Sequence, residues 1–351
     1  MFPWELETGA YFYDYLVPGI VFCVLSTLVA VLLLRELVRP WPLALQSERF
    51  AVECDDALQH LRTHGFVVFR RVLNEEEVME AKDLLWKYLQ GTQHGIFREH
   101  WQTWQFWPTT TSVGKLESHG IGQSQFMWFV RTREYVRRCF ERVHANEDLI
   151  VSFDGCMVFR PWQYFARWKT AAERFHVDQE PDDFRTVVQA FVALTNVDEQ
   201  SGGLVLLPGS HLEHAAHCRV SSRENSSADY ISWDEASSVL RKHKVVLPKV
   251  KKGDMVMWDS RTIHAFRPAL RRPKAVEPDS RDLLCVMPCV TMVPREWASQ
   301  AVQMQRQDAV KRVQTTSALP HKHVIVDNPF GQDRMPPFNR RRDAYGSSPL
   351  I

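Results

Sequence analysis

The stretch Phe175-His176-Val177-Asp178-Gln179 holds the residue types most able to do chemistry. A strand alternates its side chains with period two, so His176 and Asp178 point to one face. An imidazole nitrogen and a carboxylate oxygen then sit side by side. One more ligand from a later strand completes a 2-His-1-carboxylate face of the kind that holds non-heme Fe(II) and leaves coordination positions open. The competing reading is a solvated loop that carries a chance His-x-Asp. Other histidines read more simply. His211, His214 and His217 follow a turn in a polar stretch and are expected at the surface, and His321 and His323 alternate in the tail without making a site. Arg160, Trp162, Arg167, Trp168 and Arg174 mix cationic and aromatic character, suiting either an anionic or aromatic substrate or a solvated loop.

Several elements must position that stretch. Gly65 followed by Phe66-Val67-Val68-Phe69 predicts a buried strand. Asn74 caps a helix whose first turn carries Glu75, Glu76 and Glu77, favourable at the positive end of the helix dipole. Val78, Ala81, Leu85 and Leu89 form its apolar stripe, and Gly91 ends it. Residues 92–125 lack a clear period and gather Trp101, Trp104 and Trp107, so they read as an elaborated loop. Residues 126–144 return to a helical pattern. From residue 149 the pattern becomes strands, at 149–159, 184–194, 203–207, 245–250, 255–258 and 283–292, broken by Gly and Pro turns. Short strands with few helices between them predict a sandwich or barrel. Beyond residue 318 the composition, rich in Pro, Arg and Gly, predicts an extended or disordered tail.

The 351 residues carry a formal charge of +1, which gives no reason to expect nucleic acid as a partner. Seven cysteines with no Cys-x-x-Cys suit a reducing compartment, and Cys285 and Cys289 read as core. Residues 15–34 contain no charge, and thirteen of the twenty are Leu, Val, Ile or Phe. A helix of that length spans roughly 30 Å, the thickness of a bilayer core. Trp4, Tyr11, Phe12 and Tyr13 before it and Trp41 after it supply an interfacial belt. Glu5, Glu7 and Asp14 argue against a cleaved signal peptide, which needs a basic start. Arg35 and Arg39 follow the span, so the expectation is a single-pass anchor with the body of the protein in the cytosol. Asn225-Ser226-Ser227 is a glycosylation triplet usable only in the opposite orientation.

Further motifs join these. Ser201-Gly202-Gly203-Leu204 running to Pro208-Gly209-Ser210-His211, and Gly253-Asp254 running to Trp258-Asp259-Ser260-Arg261-Thr262-Ile263-His264, resemble signatures of the phytanoyl-CoA dioxygenase family. So does the opening His64-Gly65-Phe66-Val67-Val68-Phe69 with its Asn-capped helix. The resemblance covers roughly residues 50–320 and implies a mainly β double-stranded β-helix (jelly roll, cupin-like) with flanking helices, preceded here by one transmembrane helix. It implies His176, Asp178 and His264 as iron ligands, with 2-oxoglutarate as cosubstrate. Arg281 is the implied cation for the far carboxylate of 2-oxoglutarate, with Arg272 as substitute, because the distance from His264 is longer than is usual in the family. Phe191 matches an aromatic position of the cosubstrate pocket. Gln189, at strand spacing from it, either contacts cosubstrate or substrate or serves structure. The hydroxyl that some members place two residues after the distal His is replaced by Phe266. Retention of Asp178 favours hydroxylation over halogenation.

The expected organisation is a short segment 1–14, a transmembrane helix 15–36, a linker 37–49, a dioxygenase domain 50–318 and a tail 319–351. The expected function is a membrane-anchored Fe(II)- and 2-oxoglutarate-dependent dioxygenase that hydroxylates a small organic or lipid-like substrate and releases succinate and CO2. Two alternatives are an inactive jelly-roll binding module at a membrane and a mononuclear zinc hydrolase.

Overall fold

A computed structural model describes residues 21–30, 43–92, 94–108, 111–220, 229–235, 237–273, 282–327, 329 and 349–351. The chain divides into two compact units, Met1–Trp41 and Pro42–Ile351. In the first, residues 21–30 are helical and expose Val21, Phe22, Val24, Leu25, Leu28 and Val29. The rest of the anchor expected at 15–36 lies outside the described residues. Among the described residues no helix is long and apolar enough to cross a membrane. The triplet at Asn225 also lies outside them.

The second unit is built mainly of β-structure. In chain order its strands are β1 (Leu43–Gln46), β2 (Phe66–Phe69), β3 (Lys115–Leu116), β4 (Leu149–Val151) and β5 (Cys156–Phe159). They continue with β6 (Phe175–Val177), β7 (Val188–Val192), β8 (Gly202–Leu206), β9 (Ile231–Trp233) and β10 (Val246–Lys249). Then come β11 (Met255–Asp259), β12 (His264–Pro268), β13 (Cys285–Pro294), β14 (Thr315–Thr316) and β15 (Ile325–Asp327). One six-stranded sheet runs β1-β10-β8-β12-β6-β9, and a seven-stranded sheet runs β2-β11-β7-β13-β5-β3 with β4 also paired to β13. Apart from the parallel pair β1 and β10, the pairings within these two sheets are antiparallel. This is the jelly-roll arrangement expected of the sequence.

The larger sheet is buried on both faces, which is why its strands read as near-continuous apolar runs. Phe66, Val68, Phe191, Val256, Trp258, Met287 and Cys289 belong to one cluster, between the sheets. The alternating Val67, Phe69, Ala190, Met257 and Val290 belong to a second, which helices cover. Those helices are α1 (Asp55–His64), α2 (Glu75–Gly91), α3 (Gln125–Arg131) and α4 (Glu134–His144). The expected stripe of α2 packs there, with Val78, Ala81, Leu85 and Leu89 all buried. Asn74 and Glu77 form a reciprocal capping box at its start, worth about 1 kcal/mol.

Three expectations differ from the structure. The tryptophan-rich stretch joins the core: Trp104 contacts Trp86 of α2 and Trp168, and Arg160 lies over Trp107 and Trp168 while donating to the Trp104 carbonyl. β1 falls inside the stretch read as a linker. Within the stretch read as an extended tail, β15 pairs with β14, and Leu350 and Ile351 are buried. Buried Arg306 ties that end down, donating to the carbonyls of Val151, Leu350 and Ile351. A guanidinium offers donors in a rigid fork, so one side chain can satisfy several buried carbonyls.

Candidate metal centre

β6 and β12 are neighbours in the smaller sheet, and their register sets His264 directly opposite His176. Their rings lie 4.3 Å apart between centroids. Asp178 follows immediately after β6. Its Oδ1 is 3.7 Å from Nε2 of His176 and its Oδ2 is 3.6 Å from Nε2 of His264. One ligand atom from each of the three lies within 4.8 Å of the others.

The local chain explains this convergence. α1 ends at Gly65, whose φ of 76° is left-handed and favours glycine. A Cβ there would lie 2.3 Å from Oγ1 of Thr262, so the turn can approach the segment before His264 closely. Thr262 and Asp259 both donate to the Gly65 carbonyl. In the same turn the Ser260 carbonyl accepts from the Asp178 amide at 3.0 Å, and the Ser260 hydroxyl donates to Gln179. One turn therefore fixes both Asp178 and His264.

The hydrogen bonds also fix the histidine tautomers. Nδ1–H of His176 donates to the Arg174 carbonyl and Nδ1–H of His264 to the Thr262 carbonyl, each at 2.8 Å. A carbonyl only accepts, so Nδ1 carries the proton, and in the neutral ring the Nε2 lone pair is the one offered to a metal. Gln189 donates its amide to Oδ2 of Asp178 at 2.9 Å, leaving carboxylate lone pairs available. Enclosure pushes the Asp178 carboxyl upward. The His176 and His264 imidazoles and the Gln189 amide outweigh that and hold it well below the usual range. Burial pushes His264 down, while the adjacent Asp178 more than offsets it and raises the imidazole. Asp178 keeps 25% of its side-chain surface open, against 5% for His176 and 2% for His264, so the cluster opens on the carboxylate side. Two imidazoles presenting Nε2 and a carboxylate with an open face fit a non-heme Fe(II) ion.

The other residues singled out in the sequence separate into groups. Gln189 and Phe191 lie on β7 facing the space between the sheets, both buried, and of the two readings of Gln189 its amide meets Asp178. Phe191 lies 6.4 Å from Phe266 and 6.3 Å from Trp258. Tyr230 stacks on His176 at 4.5 Å. Arg272 is exposed, and Arg281 lies outside the described residues. His211, His214 and His217 are buried rather than at the surface. His211 and His214 hydrogen-bond the carbonyls of Arg62 and Gln179, contacts that a polar local sequence does not reveal.

Sequence reasoning missed Lys115. It lies on β3 opposite Met157, a member of the inner cluster with Phe191 and Cys289, and its Nζ is 3.3 Å from Glu117. Burial lowers its ammonium, but Glu117, Asp154, Cys289 and Asp178 together raise it, so it stays charged. Its two-residue strand sits in a segment without a period, and nothing in the local sequence, a lysine between Gly114 and Leu116, marks it out.

A sequence model described as phytanoyl-CoA dioxygenase (PhyH) matches residues 61–269. A protein of Aspergillus versicolor named Ava biosynthesis cluster protein O is 23% identical over 218 residues, covering 57% of this chain and 68% of that protein. Among solved structures, AviO1 from Streptomyces viridochromogenes Tue57 has a TM-score of 0.45 at 15% identity, covering 69% of this chain and 95% of that one. The epimerase SnoN, solved with Fe3+, alpha ketoglutarate and nogalamycin RO, has a TM-score of 0.48 at 16% identity, covering 68% of this chain and 82% of that one.

Proposed function

The chain belongs to the phytanoyl-CoA dioxygenase family and is an enzyme that uses iron and 2-oxoglutarate, and from that premise we propose that it hydroxylates a small organic or lipid-like substrate with release of succinate and CO2. The observation that carries this reading is the meeting of His176, Asp178 and His264 with both Nδ1 atoms turned to backbone carbonyls and both Nε2 atoms turned to the carboxylate. Iron bound there with 2-oxoglutarate supplies the activation of O2 that inserts oxygen into a C–H bond.

The chain's own residues do the rest. The Arg174 and Thr262 carbonyls hold the imidazoles in their binding tautomer, and Gln189 orients the carboxylate. Lys115 or Arg281 receives the far carboxylate of 2-oxoglutarate, since a cation in an enclosed site binds an anion more strongly than one in water. Phe191, Trp258 and Phe266 supply apolar wall on the inner side and exclude water from that pocket. Tyr230 covers the outer face of His176.

The reading extends to a tether through residues 15–36, with the folded body on the cytosolic side. The charge-free apolar run and the exposed apolar side chains of helix 21–30 support it. Within that helix, Ser26 and Thr27 donate to the carbonyls of Phe22 and Cys23, so both hydroxyl protons are paired inside the helix.

The test is anaerobic purification of the full chain, metal analysis, and measurement of succinate release with iron and 2-oxoglutarate. Stoichiometric iron binding and iron-dependent succinate release are expected, with both lost in His264→Ala. Zinc in place of iron with no succinate formed would overturn the reading.

A further inference from the structure

A cavity of about 870 Å³ opens at the other end of β2 and β11 from the Gly65 turn and the metal centre. Its lining includes Arg49, Arg70, Arg71, Lys251 and Lys252, with Glu75 the acidic member. A run of cations on a surface is ordinarily a solvated face. This one is built on a buried carboxylate. Asp254 is fully buried and accepts from Nε and an Nη of Arg49 at 2.7 and 2.8 Å. It also accepts from the backbone amides of Arg71 and Lys251, at 3.1 and 3.0 Å. Three cation-bearing segments, far apart along the chain, are thus tied to one anchor.

That anchor is consumed by Arg49, and Lys252 pairs with Glu75 at 2.6 Å. Arg70, Arg71 and Lys251 are left without an acidic partner among the described residues, around one concavity. Like charges held together repel, and a bound anion relieves the repulsion. Arg71 adds a second sign of construction. Its φ is 53°, a left-handed conformation that favours glycine, yet the position carries a guanidinium. Strained backbone of this kind concentrates where a side chain must be presented to a ligand.

We propose that this cleft binds a ligand bearing more than one phosphate group. Arginine forks bind phosphate oxygens in pairs, and three unpaired cations call for more charge than one carboxylate carries. A free phosphate ester and a phosphorylated lipid headgroup share this chemistry. The lipid source rests on the tether proposed above.

The test uses the full chain in neutral detergent micelles. One arm titrates inositol 1,4,5-trisphosphate. The other dopes the micelles with phosphatidylinositol 4,5-bisphosphate, with phosphatidylcholine as background. Saturable binding is expected, weakened by about tenfold or more in Arg70→Glu/Arg71→Glu, with iron content unchanged. Arg71→Gly relieves the backbone strain, so it keeps or raises the unfolding midpoint while weakening binding. Tighter binding in the doped micelles identifies a lipid ligand, and equal binding in both arms identifies the free ester. No saturable binding in either arm, or binding unaltered by both variants, overturns the proposal. The soluble arm is independent of the tether and of iron chemistry, so its outcome is separable from theirs.

Discussion

Gln189 and Lys115 are the residues through which the site is most open to test. The Gln189 amide donates to the carboxylate that both histidines face. Gln189→Leu removes that donor at nearly constant volume. Losing a hydrogen bond to a ligating carboxylate costs roughly tenfold in metal affinity or more, so iron binding should weaken by about that factor with folding intact. Competition against a chelator would measure it, and an unchanged affinity would reduce Gln189 to packing. Lys115 is tested against Arg281. If the lysine holds the far carboxylate, Lys115→Met raises KM for 2-oxoglutarate by about 10–100-fold, the value of a charged hydrogen bond, and leaves iron content alone. If Arg281→Met does this and Lys115→Met does not, the lysine is structural.

At the level of elements, the turn at Gly65 matters beyond its own strand. Gly65→Ala places a Cβ 2.3 Å from Oγ1 of Thr262 and forces a left-handed φ on an L residue. The strain costs about 1 kcal/mol or more, and the displaced Thr262 loosens the carbonyl that fixes the His264 tautomer. Stability and iron affinity should therefore fall together; a loss of stability alone would uncouple the turn from the metal. Gly65 was legible as a strand boundary, while its part in aiming His264 comes from a contact nearly two hundred residues away. His176 and Asp178 were legible because alternation is local. His264 came from a motif rather than from periodicity. The covered sheet and the stripe of α2 were legible because burial on both faces, or on one, writes itself into the pattern of apolar residues. β9 is three residues long and β3 two, too short for any period to register. β1 is defined only by its register with β10. The burial of His211 and the docking of Ile351 under Arg306 depend wholly on partners distant in sequence.

On the scale of the whole molecule, buried histidines make stability depend on pH in a direction that can be worked out. His321 is 6% exposed, and burial, helped by Arg185 and Lys322, pushes its pKa down to about 4. Above pH 6.5 the imidazole is neutral in both folded and unfolded chains and contributes no slope. Between 6.5 and 4 the unfolded chain takes up the proton and the folded one does not, so stability falls as pH falls. The full loss is about 3 kcal/mol, complete only near the lower limit. His144, His214 and His217 are also shifted downward by burial and add to the same trend. His264 has the opposite sign in metal-free protein. Its pKa is raised by Asp178, so its contribution is present below 6.5 and is lost as pH rises through the folded value. The two effects are separated by comparing chains that differ at one position. Urea unfolding of metal-free wild type and His321→Phe at pH 7 and pH 5 should show a smaller drop in the variant, since only the wild type has at position 321 an imidazole that the unfolded chain protonates at pH 5 and the folded chain does not. Equal drops would mean that His321 reaches solvent in the folded state and that its burial has no thermodynamic weight.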